Sequence, residues 1–544
     1  MNKRLSLLAL ALGLACAPAF AADLVVVNFD QGTGAGLDDP TPAAPEGGNP
    51  GLSVGEQRRI VYQYAARMWG AILDSDVPVY VGARFTPLTC TVNSAVLGSA
   101  GTTQVFRGSF NPVYPFPDAW HHVALTEALI GFDANPGTVD INSNFNSRLN
   151  GDPACLGGRG WYYGLDGQTP AGDINFLNVV MHEIAHGLGF SGFTSVTTGA
   201  PFSGYTDIYS LNVFNNTLGK QYPLMTNTER AASMRDNGNT VWTGPNVTAA
   251  AAQVLEPRMA VRITAPSAAR GLLEAGRSTL GPVAEYYNFR GKVVVANDGT
   301  GTTTDACEPL ANAAAAKGNI VLLDRGNCTF NQKVLNAQAA GATAVLIADN
   351  TVAPTLAPGG VEPGVTIPVL GLSQADGAAI KAATGVALYA QQHPTLRDGA
   401  DAAGRARLYA PTTVAQGSTF SHFDTALNPN ALMEPSITTT LRGELDVDLT
   451  KALFADIGWP INTSGARVLG CPTGIPTVDP TGVAAGAAVE ANAEICASYS
   501  SNQNAFRSCV VKHAEKLVAA RLLTKDEGAR VLYCAYTAYG QNAR

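Results

Sequence analysis

The chain has 544 residues, of which 46% are apolar and 14% are charged, and its formal net charge is −8 at pH 7. This apolar content excludes a disordered polymer, and the 57 glycines exclude a coiled coil. Because the chain is acidic and carries no Lys/Arg cluster, we do not expect it to bind nucleic acid. A prior of about 150 residues per domain predicts three to four domains.

The first residues have the features of a secretory signal. Lys3 and Arg4 precede an apolar run over residues 5–15, and residues 19–21 (AFA) offer small side chains at a cleavage position. We therefore predict a Sec-type signal peptide over residues 1–21 and a secreted protein. The apolar run is too short to cross a bilayer, and no later run reaches about 18 apolar residues, so no membrane anchor is expected in the mature chain.

The first block of the chain alternates predicted strands and helices. Its helix at residues 53–73 is predicted because Ser53 can cap it, Glu56 follows three residues later, and apolar residues recur at helical spacing. The predicted elements are, in order, a buried strand at 23–30, a Pro/Gly-rich loop at 31–51, the helix at 53–73, strands at 77–85 and 138–145, and an apolar helix at 175–188.

The pattern of residue types changes between residues 256 and 404, where short runs of β-branched residues alternate with runs that have a helical pattern. This change predicts a separate β-rich module inserted into the chain. Further on we predict a helix at 445–459, a Pro/Gly/Ala linker at 461–488, and a helical hairpin at 489–544 whose last helix begins with the capping box of Thr524 and Glu527.

Eight cysteines follow the predicted signal peptide, and an even number in an exported chain favours disulfides. No C-x-x-C pair occurs, which disfavours a metal site built from them. All eight are expected in disulfides, and the pairing of the last four stays open: Cys90, Cys155, Cys307, Cys328, Cys471, Cys496, Cys509 and Cys534.

The strongest chemical signal is the pentapeptide His182-Glu183-Ile184-Ala185-His186, which has the form H-E-x-x-H. Histidines four residues apart share one face of a helix, so both imidazoles can bind one ion. Zinc accepts imidazole nitrogen and keeps three protein ligands and a water in catalytic sites. Glu183 is positioned to take a proton from that water and to pass it to a leaving amine.

A zinc site of this kind needs a third protein ligand. His422 is one candidate, in the segment Ser421-His422-Phe423-Asp424. Asp207 is its best rival, because it lies in a turn nearer to the helix and aspartate also binds zinc. The remaining histidines of the predicted mature chain are His121, His122, His393 and His513.

Residues 182–190 (HEIAHGLGF), His422 after an insertion, and the turn with Met433 and Pro435 resemble the leishmanolysin-like metzincins, a family of zinc peptidases. In the metzincins the motif extends as H-E-x-x-H-x-x-G-x-x-H; Gly189 matches its glycine, but Gly192 stands where the third histidine would be. The resemblance implies that His422 is the third ligand and that Met433 forms the floor of the site. It also implies an α+β catalytic domain made of residues 22–255 and 405–460.

The inserted module resembles a protease-associated (PA) domain. The residues that carry this resemblance are Cys307 to Leu310, the run GNIVLLDRGNCTF at 318–330, Ala340 to Ala342 and Ile367 to Val369. The resemblance implies a β-rich α/β domain at residues 256–404 that docks substrates or partners, with a disulfide between Cys307 and Cys328. An inert spacer is the alternative interpretation.

Together these features predict a secreted, monomeric zinc metalloendopeptidase that binds one catalytic zinc ion and cleaves protein or peptide substrates. Its fold is predicted as a metzincin-like α+β domain interrupted by the PA domain and followed by a disulfide-bonded helical hairpin. The alternative is a secreted binding protein with a degenerate peptidase fold. The intact Glu183 argues against this alternative, because a binding protein has no need for a general base.

Overall fold

The computed structural model describes residues 21–108, 116–352, 355–360 and 362–538. The predicted signal peptide lies outside these residues except for Ala21. The described chain has a mixed α+β fold with four separate hydrophobic cores. The main core is formed by residues before the inserted module, residues after it, and part of the C-terminal helical segment.

The first block forms a four-stranded sheet in the order β1-β2-β6-β3, in which β3 is the antiparallel edge strand. Helices α1 and α3 pack against each other and against the sheet. The elements of this block are β1 (Leu24–Asn28), α1 (Val54–Ile72), β2 (Val79–Thr86), β3 (Gly98–Thr102), β4 (Val105–Phe106), β5 (His121–His122), α2 (Val123–Ile130), β6 (Ile141–Asn146), β7 (Trp161–Tyr162), β8 (Ile174–Asn175) and α3 (Phe176–Leu188).

The elements predicted for this block are confirmed to within a few residues. Ser53 caps α1, because its hydroxyl oxygen accepts a hydrogen bond from the backbone N–H of Glu56 at 3.2 Å. A second, smaller group of elements connects α3 to the inserted module. It comprises β9 (Val213–Asn215), β10 (Lys220–Gln221), α4 (Asn227–Ser233), β11 (Thr240–Trp242) and α5 (Pro245–Val254).

The inserted module is a closed barrel with the strand order β12-β13-β17-β16-β15-β14-β18 and two apolar cores of its own. Its elements are β12 (Pro257–Ala265), β13 (Gly271–Arg277), β14 (Arg290–Val295), α6 (Ala313–Ala316), β15 (Ile320–Asp324), α7 (Phe330–Ala339), β16 (Ala344–Ala348), β17 (Val369–Leu372), α8 (Gln374–Ala382) and β18 (Ala387–Arg397).

The two ends of the barrel lie side by side, because the backbone N–H of Asp398 donates to the carbonyl oxygen of Glu256 at 2.9 Å. The barrel ends at Arg397, earlier than the predicted boundary at residue 404. Ala400 already belongs to the main core. The residues between the last barrel strand and position 404 are therefore part of the surrounding domain.

The C-terminal part differs from the predicted linker and hairpin, because it contains three helices. Helix α10 begins at Ala485, inside the stretch predicted as a linker, and its alanines pack against α1 in the main core. Alanine favours helices, and its small side chain permits this close packing. The stretch was interpreted as a linker from its Pro, Gly and Ala content, and that interpretation did not take the helix propensity of alanine into account. Helix α9 (Thr450–Asp456) precedes this part. The elements of the C-terminal part itself are β19 (Arg467–Val468), β20 (Cys471–Pro472), α10 (Ala485–Tyr499), α11 (Gln503–Ala519) and α12 (Lys525–Thr537). The predicted capping box of Thr524 and Glu527 opens α12.

All eight cysteines of the described residues are paired. The disulfides are Cys90–Cys155, Cys307–Cys328, Cys471–Cys534 and Cys496–Cys509. The second is the pair that the PA resemblance implies, and the last two cross-link the C-terminal helical segment. Among the described helices, none combines the length and the apolar character that crossing a membrane requires.

Candidate metal centre

Helix α3 carries the H-E-x-x-H motif in the middle of the main core, where all its residues are buried. The Asn175 side chain caps the helix by accepting a hydrogen bond from the N–H of Asn178 at 3.1 Å. The helix ends at Gly189, whose φ of +135° favours glycine. A Cβ atom there would also lie 2.5 Å from a methyl carbon of Ile457, so this glycine allows the later chain to close over the helix.

Three histidines meet at one point, although one of them is 236 residues from its nearest partner in sequence. The Nε2 atoms of His182 and His186 are 3.1 Å apart, and His422 Nε2 lies 3.2 and 3.3 Å from them. All three rings are buried, with exposed fractions of 7%, 8% and 4% in chain order. The structure therefore brings together the three residues predicted as zinc ligands.

The other ring nitrogen of each histidine contacts a backbone carbonyl. The Nδ1 atoms of His182, His186 and His422 lie 2.7, 2.8 and 2.8 Å from the carbonyl oxygens of Leu432, Phe190 and Ser418. A carbonyl oxygen can only accept, so each Nδ1 carries the proton and donates it. In the neutral rings, each Nε2 then presents a lone pair toward the other two.

Burial is the main reason that these rings are neutral. It lowers the pKa of His182 to about 4 and that of His186 to about 3, and it holds the pKa of His422 well below its ordinary value. Three lone pairs that face one another in a buried space are costly unless a cation or a hydrogen-bond donor lies between them. A tetrahedral zinc ion with bonds of about 2.05 Å holds its nitrogen ligands about 3.3 Å apart, so the donor set and its spacing fit zinc.

The segment that carries His422 is held by a backbone hydrogen bond to Tyr409 and by the side chain of Tyr209 in the main core. The Tyr409 N–H donates to the His422 carbonyl at 2.9 Å, and the Tyr209 hydroxyl donates to the Phe420 carbonyl at 2.9 Å. A Cβ atom at Gly192 would lie 2.6 Å from the Phe420 ring. The space that a side chain at position 192 would need is thus filled by the segment that supplies His422.

The turn around Met433 supports the first histidine through its backbone. The Leu432 carbonyl accepts the Nδ1–H of His182, and the Met433 carbonyl accepts the N–H of Phe423 at 2.8 Å. The Glu434 carboxylate closes the turn by accepting the N–H of Ala431 at 2.9 Å. Met433 itself is fully buried. The role of its side chain as the floor of the site stays a prediction.

Glu183 lies beside the histidines and against the edge strand β3. The N–H of Ala100 donates to its carboxylate, and a Cβ atom at Gly98 would come within 3.0 Å of its Oε1. Burial raises the pKa of Glu183 to about 8. A buried carboxyl group with a raised pKa is suited to proton transfer near neutral pH.

Asp207, the rival ligand, has a different role in the structure. Its Oδ2 accepts hydrogen bonds from the Phe193 N–H and the Ser210 hydroxyl, both at 2.9 Å, and its Oδ1 accepts the Ser210 N–H at 2.7 Å. Among the described residues, Asp207 does not belong to the group of potential ligands around His182. It stabilises the loop that follows α3.

The sequence did not reveal the partners that orient the site. The three carbonyls belong to Leu432, Phe190 and Ser418, and a carbonyl is present at every residue, so no residue type marks them. The contact of Gly98 and Ala100 with Glu183 was also missed. No strand was predicted at residues 98–102; glycine within a strand is the signal that could have suggested a close approach to another element.

Comparison with protein families identifies one domain. Residues 280–380 match the family model described as the PA domain. This range lies inside the barrel, so the inserted module is a PA domain, as its sequence predicts. The matched range covers less than half of the chain.

Curated relatives match short parts of the chain. Vacuolar-sorting receptor 1 of Pisum sativum is 31% identical over 105 residues, which are 19% of this chain and 17% of the receptor. Signal peptide peptidase-like 2 of Arabidopsis thaliana is 50% identical over 46 residues, 8% of each chain. The PRADC1-like protein of Drosophila melanogaster is 46% identical over 44 residues, 8% of this chain and 22% of the relative. The chain thus covers less than a quarter of each of these relatives.

Solved structures resemble about a quarter of the chain. BSAP, a zinc aminopeptidase from Bacillus subtilis, has 24% identity and a TM-score of 0.20 over 26% of this chain and 32% of its own. The subtilisin-like protease Apa1 from a Pseudoalteromonas strain has 20% identity and a TM-score of 0.19 over 26% of this chain and 34% of its own. Similarity at this level carries no argument about activity.

Proposed function

We propose that the protein is a secreted zinc metalloendopeptidase of the metzincin type. The observation that carries this proposal is the meeting of three buried Nε2 lone pairs, from His182, His186 and His422, beside the carboxylate of Glu183. The four disulfides support secretion, because disulfides persist in oxidising compartments.

His182, His186 and His422 would hold the ion through Nε2, and their Nδ1–H groups would keep the rings oriented. Zinc, when bound, supplies a Lewis acid that polarises the scissile carbonyl and acidifies a water molecule. The Glu183 carboxylate accepts a proton from the attacking water and then donates it to the nitrogen of the leaving amine. The N–H of Ala100 keeps that carboxylate in position.

The position of the edge strand β3 favours cleavage of internal peptide bonds in a substrate. The strand lies at the end of the sheet and contacts Glu183 through Gly98 and Ala100. An extended peptide can add to such an edge by backbone hydrogen bonds, which do not depend on the ends of the peptide. We therefore propose internal peptide bonds as the substrate class, with the PA domain as a docking site for large substrates.

Glu183→Gln is the most direct test. We expect it to retain the fold and about one zinc ion per chain but to lose about 10²–10⁴-fold in cleavage of a quenched peptide library, because only proton transfer is removed. Glu127→Gln is the matched control, since Glu127 is also buried and its carboxylate accepts the backbone N–H of Ala134.

Metal content and peptide cleavage are measured together for both variants and for the unaltered chain. Near-native turnover in Glu183→Gln would contradict the mechanism. An unaltered chain that binds zinc and peptides without cleaving them would favour the secreted binding protein.

A further inference from the structure

A second group of potential metal ligands lies in the PA domain, in the loop that joins β14 to α6. It consists of Asp298, Asp305 and Glu308, and their carboxylate oxygens lie within 4.8 Å of one another. Asp298 and Asp305 are buried, with exposed fractions of 6% and 3%, while Glu308 is exposed. The group therefore has a buried side and a side open to solvent.

One oxygen in this group is unsatisfied. Asp305 uses both carboxylate oxygens, which accept hydrogen bonds from the Cys307 N–H and the Asn327 side-chain amide. Asp298 Oδ1 accepts the N–H of Thr300 at 3.2 Å. Asp298 Oδ2 is buried and has no hydrogen-bond donor in the described part of the chain, although it lies in a carboxylate pair with Asp305. A buried carboxylate oxygen that faces another carboxylate is costly unless a cation or a shared proton lies between them.

The charges of the chain leave room for a divalent ion. Lys333 is buried beside the three carboxylates, and its Nζ donates to the Asp305 carbonyl at 2.6 Å. The neighbouring Asp324 has its own cation, Lys381, at 2.7 Å. The three carboxylates carry three negative charges and Lys333 carries one positive charge. Two negative charges therefore remain uncompensated at this point of the loop.

We propose that Asp298, Asp305 and Glu308 bind a calcium ion. The donor set consists of oxygen atoms, and hard divalent ions prefer oxygen, whereas zinc prefers nitrogen and sulfur. Calcium accepts six to eight ligands in flexible geometry, so water can complete the site on the exposed side at Glu308. The ion would tie the loop to the neighbouring disulfide Cys307–Cys328 and would stabilise the PA domain. This inference does not depend on the proposed peptidase activity.

Calcium titration of the zinc-loaded full-length protein tests the site. We expect one calcium ion per chain by calorimetry, bound in addition to zinc, with an affinity tighter than about 1 mM, as in extracellular modules. Saturating calcium should raise the unfolding temperature by about 2 °C or more, because the ion binds the folded chain. Magnesium should bind more weakly, since it requires a regular octahedral set of ligands.

Two variants and one control locate the site. Asp298→Asn should weaken calcium binding at least tenfold and should raise the unfolding temperature without calcium, because its amide can donate to Asp305. Glu308→Gln, at an exposed position, should weaken binding without altering the fold. Glu285→Gln, an exposed change elsewhere in the same domain, should leave calcium binding unchanged.

The proposal is overturned if the unaltered chain binds no calcium up to about 5 mM, well above the range of extracellular calcium modules. It is also overturned if Asp298→Asn and Glu308→Gln both bind calcium as tightly as the unaltered chain. Either result would mean that a shared proton or Lys333 alone neutralises the carboxylates.

Discussion

At the scale of single residues, backbone carbonyls decide which ring nitrogen carries the hydrogen in the three buried histidines. Each carbonyl accepts a hydrogen bond from an Nδ1–H group, so each Nε2 keeps its lone pair for an ion. The spacing of His182 and His186 already predicted that these two would share an ion. The position of His422 could be proposed only by resemblance, because 236 residues separate it from His186 and helical spacing says nothing about such a distance.

His422→Ala tests the distant ligand. We expect zinc affinity to fall by at least about 100-fold and peptide cleavage to fall with it, because two protein ligands remain. Zinc content by mass spectrometry and cleavage rates provide the measurement. His393→Ala is the control, since His393 lies on β18 of the PA barrel and should change neither quantity.

Asp207→Asn tests whether Asp207 is a zinc ligand or a structural residue of the loop that follows α3. Asp207 accepts three hydrogen bonds, so the variant should retain zinc while losing about 1 kcal/mol or more of stability, measured by denaturant unfolding. Loss of zinc in Asp207→Asn with full occupancy in His422→Ala would assign the third ligand to Asp207 and contradict the site described above.

At the scale of elements, the edge strand β3 contacts the carboxylate of Glu183, the proposed general base. Gly98 has no side chain, which lets Glu183 approach the strand closely, and Ala100 supplies a hydrogen-bond donor. The strand and α3 therefore act as one unit. A change in β3 should alter proton transfer even though the strand contributes no side chain to the metal centre.

Gly98→Ala tests this unit. The new Cβ atom would lie 3.0 Å from Glu183 Oε1 and 3.1 Å from a ring carbon of Phe145, so one of them must move. A displaced base should lower kcat by about tenfold or more, with zinc content unchanged. Gly101→Ala on the same strand is the matched control, because nothing lies within 4 Å of its added Cβ atom. Equal losses in both variants would show that any side chain added to a glycine of this strand lowers activity, and would contradict a specific effect on Glu183.

Helices and strands could be predicted where the nearby sequence marks their ends or their buried face. Helix α1 was predicted well because Ser53 and Glu56 mark its start and its apolar residues repeat at helical spacing. The first four residues of helix α10 were assigned to the linker because alanine carries no amphipathic pattern, and the burial of this helix against α1 is a tertiary effect. The pairing of the last four cysteines was open for the same reason: only the folded arrangement of β20 and the three helices brings Cys471 to Cys534 and Cys496 to Cys509.

At the scale of the whole molecule, the PA barrel interrupts the chain between the parts that build the metal centre. Its ends meet at Glu256 and Asp398, and Arg277 of the barrel forms ion pairs with both, at 3.0 and 2.7 Å. A cavity of about 800 Å³ lies at this junction. It is lined by residues of the barrel and by Arg407 and residues 425–428, which flank the His422 segment. A large substrate docked here, as proposed above, would contact both the barrel and the residues that flank the His422 segment.

Replacing residues 258–397 with a short Gly/Ser linker separates docking from catalysis. The ends already lie side by side and none of the proposed zinc ligands is removed, so we expect zinc to stay bound and small peptides to be cleaved within about tenfold of the native rate. Residues 398–404 are kept, because Asp401 holds Arg405 and Asn216 in the main domain.

Cleavage of a folded or denatured protein substrate by the shortened chain decides what the barrel does. If the PA domain docks large substrates, their cleavage should fall much further than that of small peptides, because remote binding energy positions the scissile bond. Equal losses on both substrate classes would favour an inert spacer. Complete loss of zinc would instead mean that the barrel braces the segment that carries His422, because the proposed ligands themselves are all retained.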